Sequence, residues 1–595
     1  MGAALPLLPM EQTRGTLISA MKTLGLRKTL SIARPMLNAH TLSDVSHSRM
    51  DLIIPEAFSA IFDAFGDREA IISSEKRFTY REYKERVFRF GNGIADLGMK
   101  SGDKVAVMLY NSNEFLEAMF GSSYVGCPNP GVNWHLKGDE LAKTINLTSP
   151  KALLFDGEFI DKVTEIRDKL KSVEKFIVVS DEDAPKDMIL YEDLLKNSSD
   201  KMPKGNFILA LNPYTGGTTG APKSVNYYDS ASYLFSDIAE GPRTSLKEYL
   251  RLAILEFSFI HYFDMHKIKD LRSLVIAPIY HAGALVGLIP FFLGGTMVMM
   301  KKFDPESALR LIEEEKVSWS FVVPTILQRW LALSDDVKKK YYLGSMNTLI
   351  CAAAPCPVEV KKGTNALFMQ QGTKKPVFYE YYGSAETMII TLLRPDDYVI
   401  NSDRYASVGK VRCGDLKIIS EDGNELMAGE DGMVHGRTIN TISLRYPGSS
   451  DRLKSVLREI DGKEYYDDGL IGHLDKDGFL YLTDRVKDMI ISGGVNIYPS
   501  EIEEKILKHP SVSDVAVIGV PQPDLGEAVR AEIQLKDGKT ATEDEIIGHC
   551  KKEGLFGFKI PKQVGFIEEL PRHIDGKILK RELRDKYWKD VEKRG

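Results

Sequence analysis

Residues 214–223 read YTGGTTGAPK. Gly216, Gly217 and Gly220 lack a Cβ, so the backbone there can approach a polyphosphate closely and aim N–H groups at it. Thr215, Thr218 and Thr219 add hydroxyl donors, and Lys223 supplies a compact positive charge. The stretch is not a Walker A loop, in which glycine directly precedes the lysine; Pro222 holds that place. Read alone, it also fits a solvent loop rich in turn formers, because short glycine motifs arise by chance. The sequence downstream decides between the two.

Residues 379–387 read YEYYGSAET, residues 483–501 read TDRVKDMIISGGVNIYPSE, and residues 571–583 read PRHIDGKILKREL. With the glycine loop they stand in the order and at the distances of the adenylate-forming superfamily, which the chain resembles over residues 50–590. That superfamily holds the acyl-CoA synthetases, firefly luciferase and the adenylation domains of peptide synthetases. The chain is most similar to its acyl-CoA synthetase, or fatty-acid–CoA ligase, branch. The resemblance implies an α/β fold of mixed α+β layers. A large N-terminal domain with mixed β-sheets between helices is expected, followed by a small mobile C-terminal α+β domain. The expected divisions are a basic amphipathic extension over 1–50, an adenylate-forming domain with the ATP and acyl pocket over 51–486, and a lid domain with the catalytic lysine over 487–595.

Length and composition agree with that frame. A chain of 595 residues is too long for one hydrophobic core. At 43% hydrophobic and 27% charged residues it reads as a globular protein, and a net charge of −6 gives no electrostatic reason to expect nucleic acid. Cys127, Cys351, Cys356, Cys413 and Cys550 show no CxxC pairing, which argues against a zinc site or disulfide framework and fits a reducing cytoplasm. The weakly polar run from Ala282 to Met300 approaches membrane-span length, but Pro290 and Gly294-Gly295 interrupt it. A buried helix, a tight turn and a strand over Thr296–Met300 are expected instead.

In the first fifty residues, Arg14, Lys22, Arg27, Lys28, Arg34 and Arg49 face only Glu11 and Asp44. Leu17, Ile18, Met21, Leu24 and Leu30 recur at helical spacing, with no unbroken apolar region of the secretory kind. A helix packed on the body is the ordinary reading of such a pattern; an organelle presequence or a helix lying on a membrane surface is the other. Homodimerisation is left open. Further on, strands are expected at Lys104–Leu109 and Ala152–Phe155, and helices at Tyr80–Leu97 and Pro305–Glu315. After Asp488 the pattern is helix Ser500–His509, strand Asp514–Gly519, helix Thr542–Lys552 and strand Gln563–Ile567. Nothing like a carrier domain follows the last motif.

The chemistry implied is activation of a carboxylate. Attack on the α-phosphate of ATP gives an acyl-adenylate whose leaving group is AMP, and a thiol, coenzyme A, then displaces it. Because two anions meet in the first step, a cation and a metal ion, Mg²⁺, are needed between them. By resemblance the bridging catalytic lysine is Lys577, in Asp575-Gly576-Lys577; the superfamily usually has serine where Asp575 stands. The resemblance also implies that in Tyr382-Gly383-Ser384-Ala385-Glu386 the tyrosine lies against adenine and Glu386 binds Mg²⁺, with Thr218 a second metal ligand. Ala385 replaces the usual threonine of that motif. Arg485 matches the arginine that reaches the ribose, Lys487 sits at the hinge, and Gly493 and Gly494 form a turn past which pantetheine moves. The clearest departure lies at residues 468–470, where relatives carry Thr-Gly-Asp and use the aspartate to hold both ribose hydroxyls. Here the triplet is Asp468-Gly469-Leu470, so a leucine occupies the carboxylate position, and Asp468 is the candidate substitute.

The acid itself is read from residues 277–283, APIYHAG, which match the segment flanking the acyl pocket. His281 is a catalytic candidate there, weighed against a satisfied core histidine. Relatives that activate amino acids place an aspartate in this segment to pair with the ammonium, and none is present. The wall segment before Pro355 normally carries glycines; here it reads Cys351-Ala352-Ala353-Ala354. Segment 240–273, with AILEFSFIHYF, is longer than in typical relatives and is either part of the acyl wall or a surface helix. VNWHL at 132–136 resembles fatty-acid and alicyclic acyl-CoA ligases. The expected substrate is a medium- or long-chain fatty acid or a bulky alicyclic acid. The alternatives are an acyl-AMP ligase that loads a separate carrier protein, and a catalytically silent relative that binds nucleotide or acid.

Overall fold

Short Val-, Ile-, Leu- and Met-rich runs form strands that send alternate side chains to opposite faces of a central sheet, both faces covered, as parallel strands require. In the computed structural model the described residues are 47–592. Outside the description lie 209–210, 213, 216–222, 225–247, 249–250, 253–254, 256–257, 281–284, 354–355, 357, 385, 421, 444–455, 486–489, 494, 498, 537 and 572–579. The nine strands of this sheet are β1 (Glu69–Ser73), β2 (Lys76–Thr79), β3 (Arg272–Val275), β4 (Thr296–Met299), β5 (Trp319–Val322), β6 (Thr348–Cys351), β7 (Phe378–Tyr382), β8 (Thr391–Leu393) and β9 (Lys410–Val411). Their order is β9-β8-β7-β6-β5-β3-β4-β1-β2, with antiparallel pairs at both edges and parallel pairs from β7 to β1. Leu274, Val298, Val322, Leu349, Cys351 and Phe378 pack on one face. Trp319, Phe321, Ile350 and Tyr379 lie on the other.

The expected elements appear close to their expected limits. Strands run over Val105–Met108 and Ala152–Asp156, in a separate four-stranded parallel sheet, and helices over α1 (Tyr80–Asp96) and Pro305–Glu314. Thr79 caps α1 and Glu82 returns the bond to the Thr79 amide, which explains the helix start. Pro290 requires a correction. It lies inside the helix Leu285–Phe292 rather than breaking it. Proline lacks the N–H that would bond back to the carbonyl of Val286, and the Trp319 indole donates to that oxygen instead, at 3.3 Å. The break falls at Gly294, whose φ is +80° and where a Cβ would lie 2.2 Å from the Phe65 ring. All five cysteines are buried, and no helix among the described residues is long and apolar enough to cross a membrane.

A second, antiparallel sheet follows: β10 (Asp415–Ile419), β11 (Gly432–Arg437), β12 (Leu457–Ile460), β13 (Lys463–Leu474) and β14 (Leu480–Arg485), in order β10-β11-β13-β12 with β14 on β13. The C-terminal unit contains strands Val512–Gln522 and Gly526–Leu535, helix Glu543–Lys552 and strand Gln563–Phe566 around its own apolar cluster. The helix expected over Ser500–His509 is Pro499–Ile506.

Segment 240–273 is tied to the second sheet by charge. Arg437, 1% exposed, donates to Glu248 at 2.8 Å, while Arg251 pairs with both Glu248 and Asp415, and Lys463 reaches Glu248 at 3.1 Å. Hydrogen bonds from Arg251, reinforced by Lys463, bring the Glu248 carboxyl down to about 2. Phe263 and Met265 at the end of the segment are fully buried, Phe263 edge-on to Trp319 and Tyr379. Thus the described part fills core beneath the central sheet. A buried arginine without a counter-charge is far costlier to create than an exposed lysine pair is to lose. Glu248→Gln, which removes the carboxylate facing Arg437, should therefore lower stability by about 3 kcal/mol, and Lys463→Met by less than about 1 kcal/mol, read as shifts in urea midpoint. Equal shifts would show that Glu248 is held by Lys463 rather than by Arg437.

Candidate active site

Strand Tyr214–Thr215 pairs antiparallel with Lys223–Ser224, Thr215 opposite Lys223, so the glycine loop is the connection of a short hairpin. Gly216, Gly217, Thr218, Thr219 and Gly220 lie outside the described residues, and only the backbone of Thr215 and Lys223 is described. Strand Leu211–Asn212 runs parallel to Asn129–Pro130, which brings the entrance of the hairpin beside residues 131–136.

The second motif leaves the C-terminal end of β7, where ligand sites gather in open α/β sheets. A Cβ on Gly383 would lie 1.5 Å from the Met388 carbonyl oxygen, so no other residue fits this turn. The Ser384 amide donates to Thr387 Oγ1 at 3.0 Å and the Thr387 amide returns to Ser384 Oγ at 3.3 Å. Thr387 is fully buried and spent on the turn, so it does not replace the hydroxyl missing at 385, which lies outside the described residues. Asn440 and Thr441, on α2 (Ile439–Ser443), donate to the Glu386 carbonyl at 3.2 and 3.4 Å. These two residues and Thr387 escaped the sequence reading, because nothing in their spacing ties them to the motif.

Asp468 converges on the same turn. Its carboxyl accepts a hydrogen bond from the Tyr382 hydroxyl, with Ser384 and Glu386 beside it. Loss of solvent, with the Glu386 charge adding to it, pushes the carboxyl up to about 7. Leu470 lies directly opposite Arg485 across β13 and β14 and packs with Tyr382, Val434 and Leu480. Between them Gly469 takes φ +64°, and the β11–β13 register shifts across residues 467–471. A bulge at that point re-aims neighbouring side chains, which is how Asp468 reaches the motif while Leu470 stays half-buried against the apolar cluster. Among the described residues no three His, Cys, Asp or Glu gather to hold a metal. Glu386 and Asp468 together supply the one or two carboxylates that suit Mg²⁺ when phosphate and water oxygens complete its shell, so they fit that ion.

On the acyl side, Asn111 clamps the pocket segment: its amide donates to the Val275 and Ala277 carbonyls at 3.3 and 3.1 Å and accepts from the Ile279 amide at 3.0 Å. Tyr280 donates to Asn133 at 3.2 Å, and a Cβ on Gly131 would stand 2.8 Å from its own Cβ. His281, the next residue, lies outside the described residues. Asn111 was also missed; a lone asparagine after a strand carries no motif. In the wall, Ala353 holds φ +74°, the left-handed region that glycine favours, so the alanine keeps a glycine-like turn.

In the C-terminal unit, Gly493 takes φ +58° and lies against Leu525 and Phe558. Phe558 in turn meets the His135 ring edge-on at 6.0 Å, and Lys559 pairs with Glu140. The glycine turn therefore faces the VNWHL loop across the seam between the two units. Gly494, Lys487 and Lys577 lie outside the described residues, and of Arg485 only the backbone is described.

An aspartate whose folded pKa is raised keeps its full stabilisation below the ordinary carboxylate value near 3.9 and loses it as pH climbs through about 7. Asp468→Asn, which mimics the protonated form, should gain melting temperature relative to the parent protein between pH 5 and pH 8. A gap that stays constant over that range would place the Asp468 proton elsewhere.

Residues 58–443 match the family model of AMP-binding enzymes, and residues 501–577 match the model of the AMP-binding enzyme C-terminal domain. The chain is 30% identical to a feruloyl-CoA synthase from an Amycolatopsis species over 86% of this chain and 94% of that protein. It is 27% identical to an indoleacetate–CoA ligase from Aromatoleum aromaticum over 87% and 94%. Its fold matches the amide bond synthetase McbA from Marinactinospora thermotolerans with a TM-score of 0.71 at 22% identity, covering 89% of this chain and 98% of that one. The chain belongs to the AMP-binding enzymes, within the acyl-CoA synthetase branch of the adenylate-forming superfamily, a branch of AMP-forming acid–thiol ligases.

Proposed function

We propose that this enzyme converts an apolar carboxylic acid, a fatty acid or a bulky ring-bearing acid, into its CoA thioester through an acyl-adenylate. The observation that carries the substrate class is the apolar cluster joining the two acyl-side segments: Ala277, Phe321, Ala352, Tyr379 and Tyr381 pack together. No acidic residue stands in 277–283 to meet an ammonium group. A charged substrate tail would lose its water here without a partner, which costs several kcal/mol.

In this reading the hairpin loop at 216–222 and Lys223 cradle the ATP phosphates, and Tyr382, Ser384 and Asp468 line the nucleoside side. Glu386, with Thr218, would hold Mg²⁺, which when bound would draw charge from the phosphates. Lys577 bridges the two anions while the carboxylate oxygen attacks the α-phosphate and pyrophosphate leaves. The thiol of CoA then attacks the acyl carbon, passing Gly493 and Gly494, and AMP leaves with the bonding electron pair. An acid panel assayed for AMP release with free CoA tests the proposal. Turnover that needs a carrier protein would move the enzyme to carrier loading, and no acid-dependent pyrophosphate exchange would make it a silent relative.

Two half-reactions separate the roles. Lys577→Ala should cripple acyl-AMP formation yet spare thioester formation from supplied acyl-AMP, whereas Gly494→Leu should do the reverse by steric block. Equal losses in both half-reactions for either variant would remove that assignment.

Removing a charged hydrogen-bond acceptor costs about 1.5–3 kcal/mol, about tenfold to a hundredfold in affinity. If Asp468 serves the nucleotide, Asp468→Ala should raise the KM for ATP by that factor while Leu470→Ala leaves it nearly unchanged. An unaltered KM in Asp468→Ala would confine this carboxyl to holding Tyr382.

A further inference from the structure

Side chains alternate along β7, and the alternation separates its tyrosines. Tyr382 serves the nucleotide turn, where its hydroxyl donates to Asp468. Tyr379 and Tyr381 share the opposite face and pack into the acyl-side cluster with Ala277, Phe321 and Ala352. Glu380, between them, is taken up by Lys361 in a pair whose side chains are each only 2% exposed. The Lys361 ammonium also donates to the Tyr405 and Ser407 carbonyls at 2.8 and 3.2 Å, which uses all three of its protons.

Among the described residues no group bonds the hydroxyl of Tyr379 or of Tyr381. Other enclosed phenols are satisfied by the chain. Tyr80 donates to the Phe291 and Gly295 carbonyls at 2.6 and 2.7 Å, Tyr191 to Glu117 at 2.8 Å, and Tyr398 to the Phe378 carbonyl at 2.8 Å. Tyr83 has no partner either, but its hydroxyl is sealed from any visitor. Tyr379 is deep as well, 2% exposed and edge-on to Phe263 at 5.7 Å. Tyr381 differs. It stays half-buried although β6 and β8 flank its strand and Phe321 and Ala352 beside it are buried. Loss of solvent nevertheless pushes its phenol up. A ring crowded by neighbours yet open on one side lines a recess, and this one opens on the acyl face, one residue before the tyrosine of the nucleotide turn.

A hydroxyl in apolar surroundings needs a hydrogen-bond partner. Water can serve until an acyl group displaces it. A plain hydrocarbon acid then leaves the phenol unpaired, whereas an acid with an oxygen at that place restores the bond. That oxygen is neutral, because the described cations around the cluster are committed. Arg394 and Arg412, over the Tyr262 ring at its edge, pair with Asp264 and Asp397 at 3.3 and 2.7 Å. Lys361 is spent on Glu380 and two carbonyls.

We propose that Tyr381 is a specificity-determining residue whose hydroxyl bonds a neutral oxygen on the acyl body, so that the enzyme prefers acids bearing a hydroxyl, ether or keto oxygen over plain hydrocarbon acids. This rests on the functional reading above and narrows it.

The test uses the full-length protein and matched acids: phenylpropanoic acid with its para-hydroxy derivative, and cyclohexylpropanoic acid with its keto derivative at the same ring position. Acid-dependent pyrophosphate exchange gives kcat/KM for each. In the parent protein the oxygenated member of at least one pair should be favoured about tenfold. Tyr381→Phe, which removes one oxygen atom and keeps the ring, should bring that ratio to near one, with the KM for ATP within about twofold. A hydroxyl that merely supported the strand would lower both acids and ATP alike, and that result would overturn the proposal. So would a parent protein that treats both pairs equally, or a preference that survives in Tyr381→Phe. If the parent shows no exchange with any acid, the functional reading fails, and calorimetric binding of the same acids decides for Tyr381. Tighter binding of an oxygenated acid that is lost in Tyr381→Phe supports the proposal, and equal or absent binding within each pair refutes it.

Discussion

The turn at Gly383 is the constraint on which the nucleotide side depends. At the end of a parallel strand buried on both faces, the chain must reverse and offer polar groups without opening the core. It does so with the Met388 carbonyl packed against the glycine where a Cβ would collide, and with Ser384 and Thr387 closing on each other. Because that turn is self-satisfied, Glu386 is carried at a defined place, its carbonyl held by Asn440 and Thr441 from the helix that follows β11. The helix after β11 is thus joined to the motif through the Glu386 backbone.

Burial of charge recurs around this centre, and each case has its own resolution. Arg437 is enclosed with Glu248, and Arg251 and Lys463 share the same carboxylate. Among the described groups that set the proton affinity of Asp468 none is a cation, and there the carboxyl holds a proton to near neutrality instead. That contrast is informative about the site. The charges of Arg437 and Glu248 are neutralised by ion pairs, whereas the Asp468 carboxyl is held by the Tyr382 hydroxyl.

Three departures from the superfamily pattern are accommodated locally. Leu470, where the resemblance leads one to expect a carboxylate, packs half-buried against an apolar cluster, and the bulge at Gly469 turns Asp468 toward Tyr382. Ala353 holds a left-handed backbone of the kind glycine favours. The long segment at 240–273 is anchored by Glu248 and Arg251 and filled by Phe263, so its described portion belongs to the core of the large unit.

Much was legible in the chain itself. The four motifs and their order determined the superfamily, because glycine and threonine loops, a YGSAE-type turn and a terminal basic motif have few other uses together. Alternating and helical periodicities placed the strands near 105 and 152 and the helix at 80 to within a residue or so, because those patterns reflect which face is buried. Pro290 was misread because local propensity counts a missing N–H as a break, while a distant indole, Trp319, satisfies the carbonyl left over. The same limit hid Asn111, Asn440, Thr441 and the Lys361–Glu380 pair, each of which acts on backbone or charge far along the chain. Sequence by itself determined which chemical groups are present and in what order. Only the tertiary structure decided which of them meet, because a hydrogen bond or ion pair is set by distance in space, and the distance between residue 361 and residues 380, 405 and 407 is not written in their spacing.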